Sequence, residues 1–246
     1  MKYQKRSYRN AIHNSRLVHF QIMVKETDLM VSASSPLENA ARELVLTHRG
    51  YLEAYIDQNP DFQRTLKPWR ISGPAPVIVR EMALAGEKAG VGPMAAVAGA
   101  ISEAVGSGLL QVSNEVIVEN GGDTFFKTQL PVIVGIYAGN SPLSLKIGLK
   151  VDSTTHPVSL CTSSGTVGPS LSFGKADAVC VKSDSCALAD AVATAVGNRV
   201  RSAGDISSAI HFGKNIPGVS GLVVIIGKDM GLWGDLEVIP LRGKNY

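Results

Sequence analysis

The 246 residues carry a net charge of +3, with 45% hydrophobic and 18% charged side chains, a balance that excludes a largely disordered chain and fits a soluble globular protein. The length suffices for one large domain or two fused halves with a real core. Aromatic residues make up only 6% while glycines number 25, so packing is expected to rely on close backbone approach more than on large side chains.

The chain opens on MKYQKRSYR, which holds Lys2, Lys5, Arg6 and Arg9. No second basic cluster supports a nucleic-acid footprint, so the segment reads as a solvated arm or edge strand and no nucleic-acid partner is expected. No apolar stretch of the signal-peptide type comes after it. The weakly polar run GVGPMAAVAGAISEAVG is interrupted at Ser102 and Glu103, short of the ~20 residues of a membrane span. The expectation is therefore a cytoplasmic protein without membrane contact. Cys161, Cys180 and Cys186 are odd in number and lack C-x-x-C spacing, so neither a disulfide framework nor a zinc site is signalled, and all three are expected to be reduced.

Leu17 to Val24 and Leu29 to Ala33, separated by Lys25-Glu26-Thr27-Asp28, read as a hairpin. A helix is expected next, with Ser35 as N-cap, Pro36 in the first turn and Glu38 three residues past the cap, running to about Gln58. The stretch NPDFQRTLKPWRISGPAP reads as a loop, followed by helices over about 76–89 and 93–106 and a strand from Glu115 to Glu119. Strands are expected at Pro131–Ala138, Ser144–Val151 and Ala178–Lys182, then helices near 185–200 and 205–213 and a strand at Leu222–Ile226. The order of strands, paired helices and strands occurs twice, which predicts a duplicated α+β fold.

Four segments are candidates for meeting a ligand: Gly90–Ala96, Glu119–Thr124, Thr162–Asp177 and the helix around Asp190. Gly92-Pro93 leads into a helix whose first amides suit an anion, and paired glycines let a backbone approach a ligand closely; a tight turn explains each loop as well. TSSGTVGPSLSFGK lacks the G-x-x-x-x-G-K-[ST] spacing of a P-loop. Thr162, Ser163 and Ser164, with the amides around Gly165 and the charge of Lys175, form a candidate phosphate or carboxylate site, or a polar crossover whose hydroxyls bond their own backbone. His156 and Cys161 are five residues apart, which on an extended chain places them on opposite faces and disfavours a thiolate dyad. His13, His19, His48 and His211 lack metal-ligand spacing.

In SCALADAVATAVGN, Asp190, Thr194 and Asn198 recur every fourth residue of an otherwise small and apolar helix, forming a polar seam. Asp190 and Thr194 are hard oxygen donors suited to magnesium, which keeps waters or substrate phosphates in its remaining positions. The alternative is an aspartate favoured by the helix N-terminus and a threonine bonded to the carbonyl of Asp190.

With NGGD, TSSG and LADAVATA in that order, the chain resembles the ApbE-like flavin transferase family over roughly residues 77–226, and more closely its short branch linked to homocysteine formation in anaerobes. The resemblance implies a single domain over 1–246, T-fold-like, with antiparallel sheets, paired helices and two pseudo-repeated halves, approximately 1–130 and 131–246. Main-family members move FMN from FAD to a threonine of a target protein, with magnesium at the pyrophosphate. By position, Asp190, Thr194 and the Ala95 carbonyl would hold the metal. Gly121, Gly122, Thr162, Ser163 and Gly165 would line the pocket for FAD or FMN, and Asp123 or Glu119 would be the base. The family's lysine is replaced by Ala96, and its histidine segment by Gly168 to Gly174. The resemblance thus favours a cofactor- or anion-binding protein, working with a sulfur-pathway partner in reduced-sulfur incorporation into homocysteine; duplicated units with sheet edges also suit a homodimer. FMN transfer and a non-catalytic oligomer are the alternatives.

Overall fold

A computed structural model describes residues 16–165 and 172–241. The basic opening segment, His13 and Gly168–Leu171 lie outside the described residues. The strands are β1 (Val18–Val24), β2 (Thr27–Ala33), β3 (Val116–Asn120), β4 (Asp123–Lys127), β5 (Val132–Gly135), β6 (Ile147–Val151), β7 (Val158–Ser163), β8 (Ala178–Ser183), β9 (Val219–Ile226), β10 (Asp229–Gly234) and β11 (Glu237–Pro240). The helices are α1 (Glu38–Gln58), α2 (Pro60–Arg64), α3 (Val77–Ala89), α4 (Val97–Leu109), α5 (Cys186–Gly197) and α6 (Ile206–Lys214).

Among these residues an eight-stranded sheet runs β1-β2-β3-β4-β7-β8-β9-β10, and a second sheet runs β11-β6-β5. Neighbouring strands pair antiparallel throughout, and β4 meets β7 at Thr124↔Leu160 and Phe126↔Val158. On either side of that seam the chain repeats one order: two strands, helices, two strands. The architecture is α+β, as the alternation of patterns predicts.

Strand alternation sorts the core into two layers. Cys161, Val179, Val181, Leu222 and Val224 face the helices. Their neighbours Leu160, Ala178, Cys180, Val223 and Ile225 face the small sheet with Leu149 and Val151. Because both faces of β7, β8 and β9 are covered, these strands bury consecutive residues, whereas edge strand β1 buries only its alternate Phe20 and Ile22. Among the described residues no single helix is long and apolar enough to cross a membrane.

Several boundaries differ from the sequence pattern. Helix α1 starts at Glu38 with Leu37 at its cap, and Ser35 makes no capping bond; the Leu37 carbonyl accepts the Ala41 amide instead. The expected 93–106 helix begins as a 3₁₀ turn over Pro93–Ala96 before α4 proper. The expected loop after Gln58 contains α2, because Phe62 is fully buried in edge-on contact with Tyr55 and Trp69. The glycine pair of ENGGDT is a two-residue hairpin turn, Gly121 and Gly122 taking φ of 69° and 106°. Asp123 therefore stands at the start of a strand. Strands β10 and β11 escape the pattern, since the MGLWGD stretch is broken by glycines.

Close helix–sheet packing at α4 is testable. A Cβ at Gly106 would press on the buried Phe125 ring, 2.7 Å from its Cε1, whereas one at Gly108 would meet only the flexible Leu44 side chain tip. Gly106→Ala is expected to cost about 1–3 kcal/mol, lowering the melting temperature by about 2–4 °C per kcal/mol. Gly108→Ala, gaining helix propensity, should stay near wild type. Equal effects in calorimetry would contradict this packing.

Candidate functional site

Helix α5 is held on nearly all sides, packing against α3, α4, the Pro93–Ala96 turn, β7 and β8. Its alanines make this possible, since small side chains let neighbouring elements close on it. Every residue from Cys186 to Gly197 is buried except Asp190 and Thr194. The polar seam therefore coincides with the one strip of the helix that is not fully buried. The Thr194 hydroxyl has no hydrogen bond among the described residues and does not bond back to the Asp190 carbonyl, while one turn on Asn198 Oδ1 accepts the Phe173 amide at 2.8 Å.

Helices α4 and α5 cross antiparallel at Gly99, where a Cβ would stand 2.7 Å from the Cys186 carbonyl carbon and 2.9 Å from Asp190 Cβ. Asp190 Oδ2 accepts the Gly99 amide at 2.9 Å, and the Ala98 amide also points at this carboxylate. These are among the first amides of α4, which no carbonyl of their own helix can satisfy. The reverse contact exists too. Glu103 of α4 accepts the Cys186 amide at 2.8 Å, and at 3.4 Å both the Ala187 amide and the Ser185 hydroxyl. Each helix supplies a carboxylate to the other's positive end.

Asp123 enters the same space from β4. It shares a sheet face with Asn120, whose amide donates to the Ala98 carbonyl at 3.2 Å, and with Phe125 against α4. The Cys161 thiol and the Thr162 amide lie close enough to its carboxyl group to favour the charged form, while the thiol itself donates to the Cys186 carbonyl at 3.4 Å. Cys161 Sγ in turn lies 3.4 Å from Cys186 Sγ, and all three cysteines are free thiols. Burial drives the Asp123 acid well above the usual carboxylate range, and the nearby charge of Asp190 pushes it further. Burial raises Asp190 to about 7, against the pull of the Gly99 and Ala98 amides. No lysine or arginine among the described residues pairs with either carboxylate.

The other sequence candidates spread around this pair of acids. Ala95 sits half-buried on the 3₁₀ turn against α5. Ser163 lies on the helix face of β7, its Oγ 3.9 Å from where a Gly197 Cβ would stand, so it approaches the far end of α5. Ser164 is half-buried, and the exposed Gly165 donates its amide to the Ala176 carbonyl. Gly122 abuts Thr162, while Gly121 is exposed at the hairpin tip. The Thr162 hydroxyl turns to the opposite face and donates to Cys180 Sγ at 3.3 Å.

Three candidates stand apart. Glu119 pairs with Thr124 and shares a face with Ile117, which packs toward the small sheet, and its Oε1 accepts the Gly122 amide at 2.9 Å. It braces the turn and faces away from Asp123. Gly92 is buried against the Thr65 carbonyl, with no room for a ligand. Lys175 is exposed, with its amide bonded to the Val200 carbonyl. His156 is exposed, 3.5 Å from Asp184, and Cys161 is fully buried, so no dyad forms. A separate concavity of about 570 Å³ lies between α6 and β10 and contains none of these residues. Sequence reasoning missed Glu103 and Gly99, which read locally as a break in an apolar run and as one more small residue.

Among the described residues no three His, Cys, Asp or Glu side chains converge into a ready-made metal cage. The donor set here is of a different kind: Asp190, the unengaged Thr194 hydroxyl and the buried Asp123 carboxyl group, which has no basic partner among the described residues. It fits a hard cation that keeps several positions for water or phosphate oxygens.

The paired acids make stability depend on pH. A carboxyl group raised in the fold binds more protons folded than unfolded between its unfolded value, ~3.9, and its folded one. Its stabilising contribution is thus full below the unfolded value and is lost as pH rises toward about 7 for Asp190. In chelator, the melting temperature should fall between pH 5 and pH 8, Asp123→Asn should flatten that slope, and magnesium should restore part of the loss at pH 8. A flat profile indifferent to magnesium would contradict the electrostatics described.

Residues 9–230 match the family model described as AbpE bacteria. The chain is 45% identical over 224 residues to a UPF0280 protein of Methanocella arvoryzae, covering 91% of both chains. It is 44% identical over 231 residues to one of Methanosarcina barkeri, covering 93% of this chain and 90% of the relative. Among solved structures it is similar to the apo form of the flavinyl transferase ApbE of Pseudomonas stutzeri, with a TM-score of 0.59 at 15% identity over 89% of this chain and 94% of that one. The flavin transferase ApbE of Vibrio cholerae gives 0.55 at 11% identity, covering 89% and 96%. These structural likenesses concern the fold, and the sequence matches place the protein: the chain belongs to the AbpE bacteria family, together with the UPF0280 proteins.

Proposed function

We propose that the protein binds a phosphate-bearing cofactor of the flavin-nucleotide class, with a divalent cation such as magnesium, beside the Asp123–Asp190 pair where α4, α5 and β4 meet. The observation that carries this reading is the Asp123–Asp190 pair, without a basic partner among the described residues, beside the half-buried strip of an otherwise buried helix. A bound cation supplies the positive charge that both the carboxylates and a pyrophosphate call for.

The chain's own contributions depend on their placement. The Gly99 amide holds Asp190 through Oδ2, and the carboxylate's other oxygen is the one we assign to the cation. Thr194 offers its hydroxyl one turn on, and the Ala95 carbonyl is the backbone donor that the family resemblance adds. We assign the rest of an FAD or FMN molecule to Ser163, which approaches the far end of α5, and to Ser164 and Gly165 after it. Of the two acids considered as bases, Asp123 is the one on the helix face of the sheet, beside Asp190; if group transfer to a threonine hydroxyl occurs, it is the residue to take the proton. The resemblance extends the reading to a service role in reduced-sulfur incorporation into homocysteine, beside a sulfur-pathway protein partner.

The test is retention of flavin through desalting after incubation with FAD and magnesium, compared with Asp190→Ala and with chelator. Wild type should retain flavin only with the cation, and Asp190→Ala should not. AMP release and a fluorescent threonine-bearing acceptor would add transfer to binding. No retained flavin under any of these conditions would remove the reading.

A further inference from the structure

Helix α5 has two caps at its start, and they differ in kind. Ser185 accepts the Leu188 amide at 3.3 Å and so closes the first turn from within. A cap in cis moves with its helix; it stabilises the turn but says nothing about where the helix lies. Glu103 belongs to α4, and by accepting the Cys186 and Ala187 amides it ties the start of α5 to a neighbouring helix. It does so although burial raises its acid above the usual range.

The position so fixed matters for Asp190. That residue lies one turn beyond Cys186, about 6 Å along the axis, and meets the α4 amides there. At Gly99 the helices already touch too closely for a methyl group, so approach is set by contact. Sliding along the axis is the freedom that contact leaves, and Glu103 opposes it. From this geometry we infer that Glu103 is a positioning residue for the cation site, setting through the first amides of α5 where Asp190 and Thr194 stand. This rests on the cation-binding reading above.

The test measures manganese affinity from the free-ion paramagnetic resonance signal, with melting temperatures taken in parallel, for wild type and for Glu103→Gln, Glu103→Ala and Glu103→Asp. Gln and Ala both remove the charge, but only Gln keeps an acceptor of the same reach, so the difference between them reads positioning. Glu103→Ala should weaken manganese on the order of tenfold, as losses of residues that orient metal ligands do. Glu103→Gln should stay within about threefold of wild type, and Glu103→Asp, one methylene short, should fall between. Glu87→Gln, at an exposed acid on α3, should leave affinity unchanged. If Glu103→Ala melts lower yet binds manganese like Glu103→Gln, the residue is a stabiliser only and the inference falls. Should Glu103→Ala fail to fold, a Glu103→Asp variant equal to Glu103→Gln overturns it equally. Wild type that binds no manganese removes the cation reading, and this inference with it.

Discussion

Two antiparallel helices in van der Waals contact each lend a carboxylate to the other's first turn, and the rest of the site is arranged around that exchange. The crossing is possible because residue 99 has no side chain and because α5 is built of small residues. Asp190 and Glu103 then meet amides that neither helix can satisfy for itself. Such contacts are charge-assisted and directional, so they fix helix against helix more tightly than apolar packing alone would.

The same exchange leaves an electrostatic imbalance. Asp190 is held in place, but Asp123 comes in from the sheet on the same side, and neither is met by a basic side chain among the described residues. A fold that only needed to cap α4 would gain nothing from a second buried acid beside the first. The two thiols at 3.4 Å behind them, Cys161 and Cys186, add hydrogen bonding but no charge. A positive ligand would resolve the conflict, and the half-buried strip along Asp190 and Thr194 is the side from which we propose that it binds. The likeness to flavin transferases at 11% and 15% identity extends to the fold; the chemistry must be argued from these side chains.

Much of the architecture was legible because periodicity is a local signal. The paired helices and the strands on either side of them are set by spacing within a dozen residues, and the seam of Asp190 and Thr194 was visible as an anomaly in an alanine-rich helix. What was hidden depends on contacts across the chain. Glu103 looked like a charge that breaks an apolar run, and only its apposition to Cys186, 83 residues away, gives it a partner. Glu119 and Asp123 were equivalent acids in one glycine-rich stretch until the hairpin turn put them on opposite faces of the sheet. Gly92 fitted an anion-binding helix start by its neighbours in the chain, but its neighbour in space is the carbonyl of Thr65, from a segment that held the unforeseen helix α2. Strand β4 was concealed because its first residue comes directly after the turn glycines.

The most direct measurement is a crystal structure grown with manganese and FAD, with anomalous difference density used to locate the ion. A peak bonded to Asp190 Oδ1 and to Thr194 Oγ1, with Oδ2 still on the Gly99 amide and the Asp123 carboxylate nearby, is the predicted result. Anomalous density elsewhere only, with both Asp190 oxygens taken up by helix amides, would contradict the account.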